Sequence, residues 1–340
     1  MSARLLATIG AGLAARGETV TLACCRGSDA ERELVRLFPG MPLRTVSGSL
    51  FPSRVARIRA LTTALRPDVV LVHNERDGLA AALAVGRTAG VVRRLAIGER
   101  LETGWRTRVT LSRTRFVAMG DDTGPAVHGD KHVRTAVSWP GAPEPARDAG
   151  PFRTGSLAAP VIAIVAGNAA NPAEHAAGAA ALRAAARIVS RHPDLRVSLL
   201  GQASGLQALR VHAGALGLAE RLVVVAVETL LAPGEFAAAT VWVTAGGDEG
   251  AVAVVAAMMR RIPVIVPRGF DTAALVAPRI TGFTADDTDL AGSVSALAHL
   301  MADTAEHHAM GAAAAARAER LHGWDAMLTR TMLAIARVAA

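Results

Sequence analysis

Short aliphatic, β-branched runs alternate with long alanine-rich stretches along almost the whole chain, and this alternation constrains the fold more than any other feature. The runs at residues 19–23, 69–72, 91–97, 115–118, 161–165, 196–200, 222–227, 240–244 and 264–266 show little polar alternation. Strands buried on both faces of a parallel sheet have that character. Helical segments lie between them, for instance at 52–65, 173–191, 205–217 and 250–261. Parallel strands need a crossover of a dozen or more residues, and the spacings supply it. The pattern predicts βαβ units and a doubly wound α/β fold.

A length of 340 residues suits two such domains. Residues 138–160 break the rhythm with Pro140, Pro143, Pro145, Pro151 and Pro160, and with Gly141, Gly150 and Gly155. This reads as a linker. The expected organisation is an N-terminal Rossmann-like domain over 1–137, the linker over 138–160, a C-terminal Rossmann-like domain over 161–322, and a helix over 323–340 opened by Trp324. Two such domains face a cleft, a preferred ligand site.

At the start, Gly10, Gly12 and Ala15 fit a dinucleotide fingerprint with alanine in third place. The next strand begins near Thr19, too soon for the crossover helix that the fingerprint requires. Leu5, Ile9 and Leu13 instead mark one face of a helix over 3–16. The strand and phosphate-facing loop that should precede that helix are missing, through an upstream start codon or true loss.

Hydrophobic residues make up 51% of the chain and charged residues 19%, which excludes intrinsic disorder. No apolar run approaches the ~18 residues of a membrane span, and no signal peptide is visible. Cys24 and Cys25 are adjacent and make no disulfide framework, so the cytoplasm is the expected compartment. Net charge is +8, from 37 basic and 29 acidic residues. Residues 1–150 hold 22 basic and 14 acidic residues, leaving 15 of each for 151–340, so the whole excess lies in the first half. Within it, 52–67 reads as an amphipathic helix with Arg54, Arg57, Arg59 and Arg66 on its polar surface. A solvated face or an anionic membrane surface both suit such a helix. Arg93, Arg94, Arg100, Arg106, Arg108, Arg113 and Arg115 form a second basic stretch. Scarce base-stacking aromatics argue against nucleic acid.

The segments resemble, in order and spacing, retaining GT-B glycosyltransferases of the family-4 type. "LLATIGAGLAARGETVTLAC" is similar to their first helix and second strand, and "LRPDVVLVHNE" to their cleft-facing strand. "VIAIVAGNAAN" resembles the opening of their nucleotide-sugar domain. "TVWVTAGGDEGAVAVVAAMMRRIPVIVP" resembles their S-x-x-E-G segment, and "LHGWDAMLTRTM" their ending. The resemblance implies transfer of a hexose from a nucleotide-diphosphate donor to a lipid, glycan or metabolite, with no required metal or other cofactor. Family positions for an arginine and a lysine correspond to Asn168 and Ala173. The ribose-binding acid corresponds to Ala256 or Ala257. A non-catalytic relative that binds a sugar nucleotide or glycan, or supports a partner enzyme, is the alternative.

The resemblance assigns catalytic or sugar-contacting roles to His73, Asp248 and Glu249, and donor binding to Gly167, Asn168, Asn171, Gly201, Gln202 and Gly250. His73 stands in for a family cleft histidine, since the corresponding segment reads Ile97-Gly98-Glu99. Asp248 and Glu249 equally suit capping of a helix N-terminus, and Asn171-Pro172 suits an N-cap followed by proline. A glycine before a helix, as at Gly167, lets backbone N–H groups approach a phosphate. His307, His308 and His322 lack partners at ligand spacing and are expected on the surface.

Overall fold

The computed structural model describes residues 2–46, 50–95, 101, 104–120, 134–137, 160–168, 170–201, 203–227, 230, 238–286, 288–302 and 304–339. The chain divides into two compact units, Met1–Trp139 with Asp325–Ala340, and Pro140–Trp324.

The first unit runs α1 (Ser2–Ala14), β1 (Leu22–Cys25), α2 (Asp29–Leu37), β2 (Leu43–Val46), α3 (Phe51–Leu65), β3 (Val69–Val72), α4 (Glu75–Val85), β4 (Gly90–Arg94), α5 (Trp105–Arg113), β5 (Phe116–Gly120) and β6 (Arg134–Val137). Its strands form two parallel sheets, β1-β2 and β3-β4-β5-β6. The chain enters on α1, whose Ile9 and Leu13 are buried as the i, i+4 spacing predicts. A Cβ on Gly10 would lie 3.2 Å from both Val20 Cγ1 and Leu22 Cδ2. This glycine therefore serves the close packing of α1 on β1, not a dinucleotide. Val91 and Ala118, from neighbouring strands, centre one apolar cluster with Ala81 and Val85 of α4. On the opposite face, Val92, Val117 and Met119 are covered by Ala334 and Val338 of a terminal helix, Trp324–Ala339.

Most described arginines of the first half are exposed, including Arg106, Arg108, Arg113 and Arg115 of the second basic stretch, but several are engaged by the unit itself. Arg93 and Arg94, on the fully buried strand β4, are 6% and 3% exposed, so neither belongs to an open basic surface. Arg54 pairs with Asp77 of α4 at 2.9 Å. Arg59 Nη2 donates to the Leu83 carbonyl at 2.7 Å. Arg57 is exposed, and Arg66 caps α3 in the left-handed region at φ 47°.

The second unit runs β7 (Val161–Val165), α6 (Pro172–Ile188), β8 (Arg196–Leu200), α7 (Ala203–Ala215), β9 (Leu222–Val225), β10 (Thr240–Val243), α8 (Gly247–Met259), β11 (Val264–Pro267), β12 (Gly282–Ala285), α9 (Leu290–Ala302) and α10 (Thr304–His322). The helix Trp324–Ala339 then follows as α11. One parallel six-stranded sheet has the order β12-β11-β10-β7-β8-β9. The chain moves outward from β7 through β8 to β9, returns to β10 on the other side of β7, and moves outward again. The order therefore reverses between β7 and β10. In open α/β sheets, ligands bind beyond the carboxyl ends of the strands at such a switch point. Ile162, Ile164, Leu199 and Trp242 of the sheet close the core with Leu182 of α6, all at most 2% exposed.

Alanine-rich α10 is a core helix, and this corrects the surface assignment of two histidines. His307 is 5% exposed and His322 fully buried, whereas His308 is exposed. Alanines at Ala314, Ala315 and Ala318 let the helix approach its neighbours closely enough to enclose both rings. Among the described residues, no three His, Cys, Asp or Glu side chains stand together as metal ligands.

Candidate functional site

The switch point is built from two loops. The first follows β7 and runs through Gly167 and Asn168 to Asn171, the N-cap of α6. The second follows β10 and runs through Gly246, the N-cap of α8. β7 and β10 are in register at Val165↔Val243, and the Thr244 hydroxyl donates to the Val165 carbonyl at 3.0 Å. The two loops therefore leave adjacent strand ends together.

One carboxylate joins them. Glu174 Oε2 accepts from the Asn168 N–H at 2.5 Å. Its Oε1 accepts from the Gly246 N–H at 3.2 Å and from Asn171 Nδ2 at 3.1 Å. An alanine Cβ at Gly167 would lie only 2.1 Å from Oε2, so the carboxylate fills the space this glycine leaves. A second carboxylate, Asp271, accepts from the Gly247 N–H at 3.1 and 3.0 Å and from the Thr272 N–H at 2.8 Å. The first amides of α8 thus meet two acids from elsewhere in the unit. Such amides, reinforced by the helix dipole, form an anion site.

Local sequence explains the position of Glu174. Asn171 Oδ1 caps α6 through the Ala173 N–H at 3.1 Å, with Pro172 in the first turn. Glu174 stands three residues after the N-cap, the capping-box position, where an acid ordinarily reaches back to the N-cap amide. Here the Asn171 amide already donates to the Asn168 carbonyl at 2.9 Å. Glu174 reaches past it to the two loops.

The expected residues divide accordingly. Gly167, Asn168 and Asn171 converge on the Glu174 carboxylate. Asp248 is buried at 6% exposure in the first turn of α8, with Glu249 half-buried beside it. Gly250 meets a backbone need: a Cβ there would lie 1.9 Å from the Ala245 carbonyl oxygen and 2.8 Å from Thr272 Cγ2. Gly201 directly follows β8, where a Cβ would lie 3.0 Å from Leu206 Cδ2 and 3.3 Å from the Ala166 carbonyl oxygen. Gln202 lies outside the described residues, as do Ile97-Gly98-Glu99 and residues 138–159 of the expected linker. His73 belongs to the first unit, at the end of β3 just before Asn74, whose side chain caps α4 through the Asp77 N–H at 2.8 Å. Two acids escaped the sequence reading. Asn171-x-x-Glu174 is a visible capping-box signature, but Asp271 has no local signal tying it to Gly247.

Comparison with known proteins agrees with this architecture. The model of Glycosyltransferase Family 4 matches residues 2–95. No curated protein matches the chain in sequence. Among solved structures, a glycosyltransferase from Rickettsia africae ESF-5 is 12% identical, with a TM-score of 0.75, covering 99% of this chain and 94% of that one. HepE from Anabaena, in complex with UDP and glucose, is 15% identical, with a TM-score of 0.73 and coverage of 98% and 95%. Sucrose-phosphate synthase from Thermosynechococcus elongatus is 16% identical, with a TM-score of 0.70 and coverage of 96% and 90%. The chain has the α/β fold of GT-B glycosyltransferases.

Proposed function

We propose that this chain is a glycosyltransferase that takes a nucleotide sugar at the switch point of its second unit. The observation that carries this reading is the convergence of the Asn168 and Gly246 amides, from two adjacent strand ends, on one carboxylate, that of Glu174. The HepE complex with UDP and glucose supports a uridine nucleotide as the first donor to try.

In this reading, charge that develops on the leaving diphosphate is stabilised by fixed backbone N–H groups and by the N-termini of α6 and α8. Such donors are already oriented when charge appears, so little reorganisation opposes the reaction. Asp248 and Glu249, in the first turn of α8, accept from sugar hydroxyls. Gly201 and Gln202 are assigned to recognition of the base, and His73 to the acceptor side. Transfer proceeds with retention and without a required metal. The acceptor is a lipid, glycan or metabolite bound by the basic first unit. Arg57 and Arg66 carry any contact with an anionic membrane surface, since Arg54 and Arg59 are engaged by α4. Among the described residues, no helix is long and apolar enough to cross a membrane.

Asn168 and Ala173, where the family resemblance calls for cations, favour one second reading: binding of a sugar nucleotide without turnover. A thermal-shift and hydrolysis screen over a panel of nucleotide sugars separates the two. The transferase reading expects a stabilising shift and release of nucleoside diphosphate with at least one donor. A shift without turnover, with every acceptor tried, selects the binding protein. Absence of any shift refutes both.

A further inference from the structure

We propose that Glu174 is a built-in competitor for the anionic ligand of this site, so that a nucleoside diphosphate binds only when the Glu174 carboxylate withdraws. The inference rests on the donor site proposed above and adds a residue that governs access to it.

Three observations converge. The first is place. The carboxylate bridges the loops after β7 and β10, the strands between which the sheet order reverses. This fold class offers its ligand crevice there. The second is occupancy. Oε2 takes the Asn168 N–H, while Oε1 takes the Gly246 N–H and the Asn171 side-chain amide. A phosphate oxygen arriving at either backbone amide finds a carboxylate oxygen already on it. The third is fit. Gly167 lacks the one atom that would stand 2.1 Å from Oε2, 2.7 Å from Cδ and 2.8 Å from Cβ of this residue.

The arrangement exceeds what helix capping requires. Asn171 already caps α6 with its own side chain. A glutamate at the third helical position stabilises through the N-cap amide or the helix dipole, and it needs no contact with a loop 72 residues away. Both amides instead hold the acid in place of an incoming anion. On the other side of Gly246, Asp271 holds the next amide of α8, and Asp248 and Glu249 follow in the first turn. A diphosphate approaching the closed form therefore meets acids around the Gly246–Gly247 turn. Apparent ligand affinity is the intrinsic affinity multiplied by the fraction of molecules in which Glu174 has swung out.

Calorimetric titration of the full chain with UDP and, separately, with inorganic pyrophosphate tests the proposal in wild type, Glu174→Ala and Glu174→Gln. Competition predicts that Glu174→Ala lowers the dissociation constant for both probes at least ten-fold, and that Glu174→Gln lowers it by a smaller factor. Tightening toward pyrophosphate alone upholds the competition and refutes the nucleotide-donor reading. Equal or weaker binding by the folded variants overturns the competition, and it leaves the donor reading intact if wild type binds UDP. Failure of every form to bind either probe overturns it as well. Should Glu174→Ala fail to fold, the near-isosteric Glu174→Gln decides: unchanged affinity refutes the proposal.

Discussion

The Gly246 N–H donates to Glu174 Oε1 at 3.2 Å across 72 residues of sequence, tying the loop after β10 to the first turn of α6. The same carboxylate takes the Asn168 N–H at 2.5 Å. One side chain thus closes the end of the sheet where the strand order reverses. Its hydrogen bonds are of the charge-assisted kind, stronger than neutral ones.

Gly167 and Glu174 should be energetically coupled. In Gly167→Ala, the new Cβ falls within 2.1 Å of Oε2 and forces the glutamate out. The single variant should lose about 1–3 kcal/mol of stability through overpacking. In a Glu174→Ala background the same change should cost less, because the two nearest obstructing atoms, Oε2 and Cδ, are gone and only the Cβ of residue 174, at 2.8 Å, remains. Chemical denaturation of the four forms measures the coupling. Strict additivity would separate this glycine from the carboxylate.

Gly250 should prove a structural requirement whatever the site binds. An added Cβ meets the Ala245 carbonyl oxygen at 1.9 Å, and backbone cannot rotate away as a side-chain tip can. Gly250→Ala should destabilise by about 1–3 kcal/mol, measured by denaturant titration. A change below about 0.5 kcal/mol, the size of an ordinary surface substitution, would contradict this packing.

Acid should weaken the second unit through His307. Burial holds this imidazole below its ordinary 6.5, its bond to the Ala239 carbonyl opposes the shift, and His308 adds to the lowering. As pH falls through about 6.5, the unfolded chain takes up the proton first, so native stability declines toward pH 5 and is recovered above 6.5. One such group contributes a slope of at most about 1.4 kcal/mol per pH unit. His307→Gln should flatten the stability profile between pH 7 and 5, and an unchanged slope would reject the assignment.

Packing, rather than ion pairing, should hold the terminal helix α11 on the first unit. Val338 is 1% exposed and lies so close to Gly90 that a Cβ there would stand 2.6 Å from its own Cβ. Arg16 meets Asp325 at 2.6 Å, but the aspartate side chain is 83% exposed. Val338→Ala should cost about 1–3 kcal/mol. Arg16→Ala should cost about 0–1 kcal/mol, the usual range of exposed pairs. The reverse ranking in thermal unfolding would refute this account of the helix.

Much of the framework was readable beforehand. The strands at 69–72, 161–165 and 196–200 occupy their expected positions, because each carries aliphatic residues that its sheet shelters: an unbroken run at 69–72 and 161–165, and Val197, Leu199 and Leu200 between Arg196 and Ser198 at 196–200. β2, β6 and β12 escaped notice. Each lies at a sheet edge, as β3 and β9 also do, but unlike those two it mixes polar residues or glycine into its run, as in Leu43-Arg44-Thr45-Val46. The site was half readable. A strand-end glycine pointed to Gly167 and Asn168, and an N-cap signature to Asn171. What occupies those amides depends on Glu174 reaching a loop far along the chain, and no local pattern encodes such a meeting. The two buried histidines were misplaced for a related reason: an alanine-rich helix carries little periodic signal, so its neighbours decide which face is enclosed.

A crystal structure of the Glu174→Ala variant soaked with UDP tests the central claim most directly. The account predicts the diphosphate within hydrogen-bonding distance of the Asn168 and Gly246 amides, in the space the carboxylate leaves. Clear density for UDP elsewhere, with those two amides bonded to other groups, would contradict it.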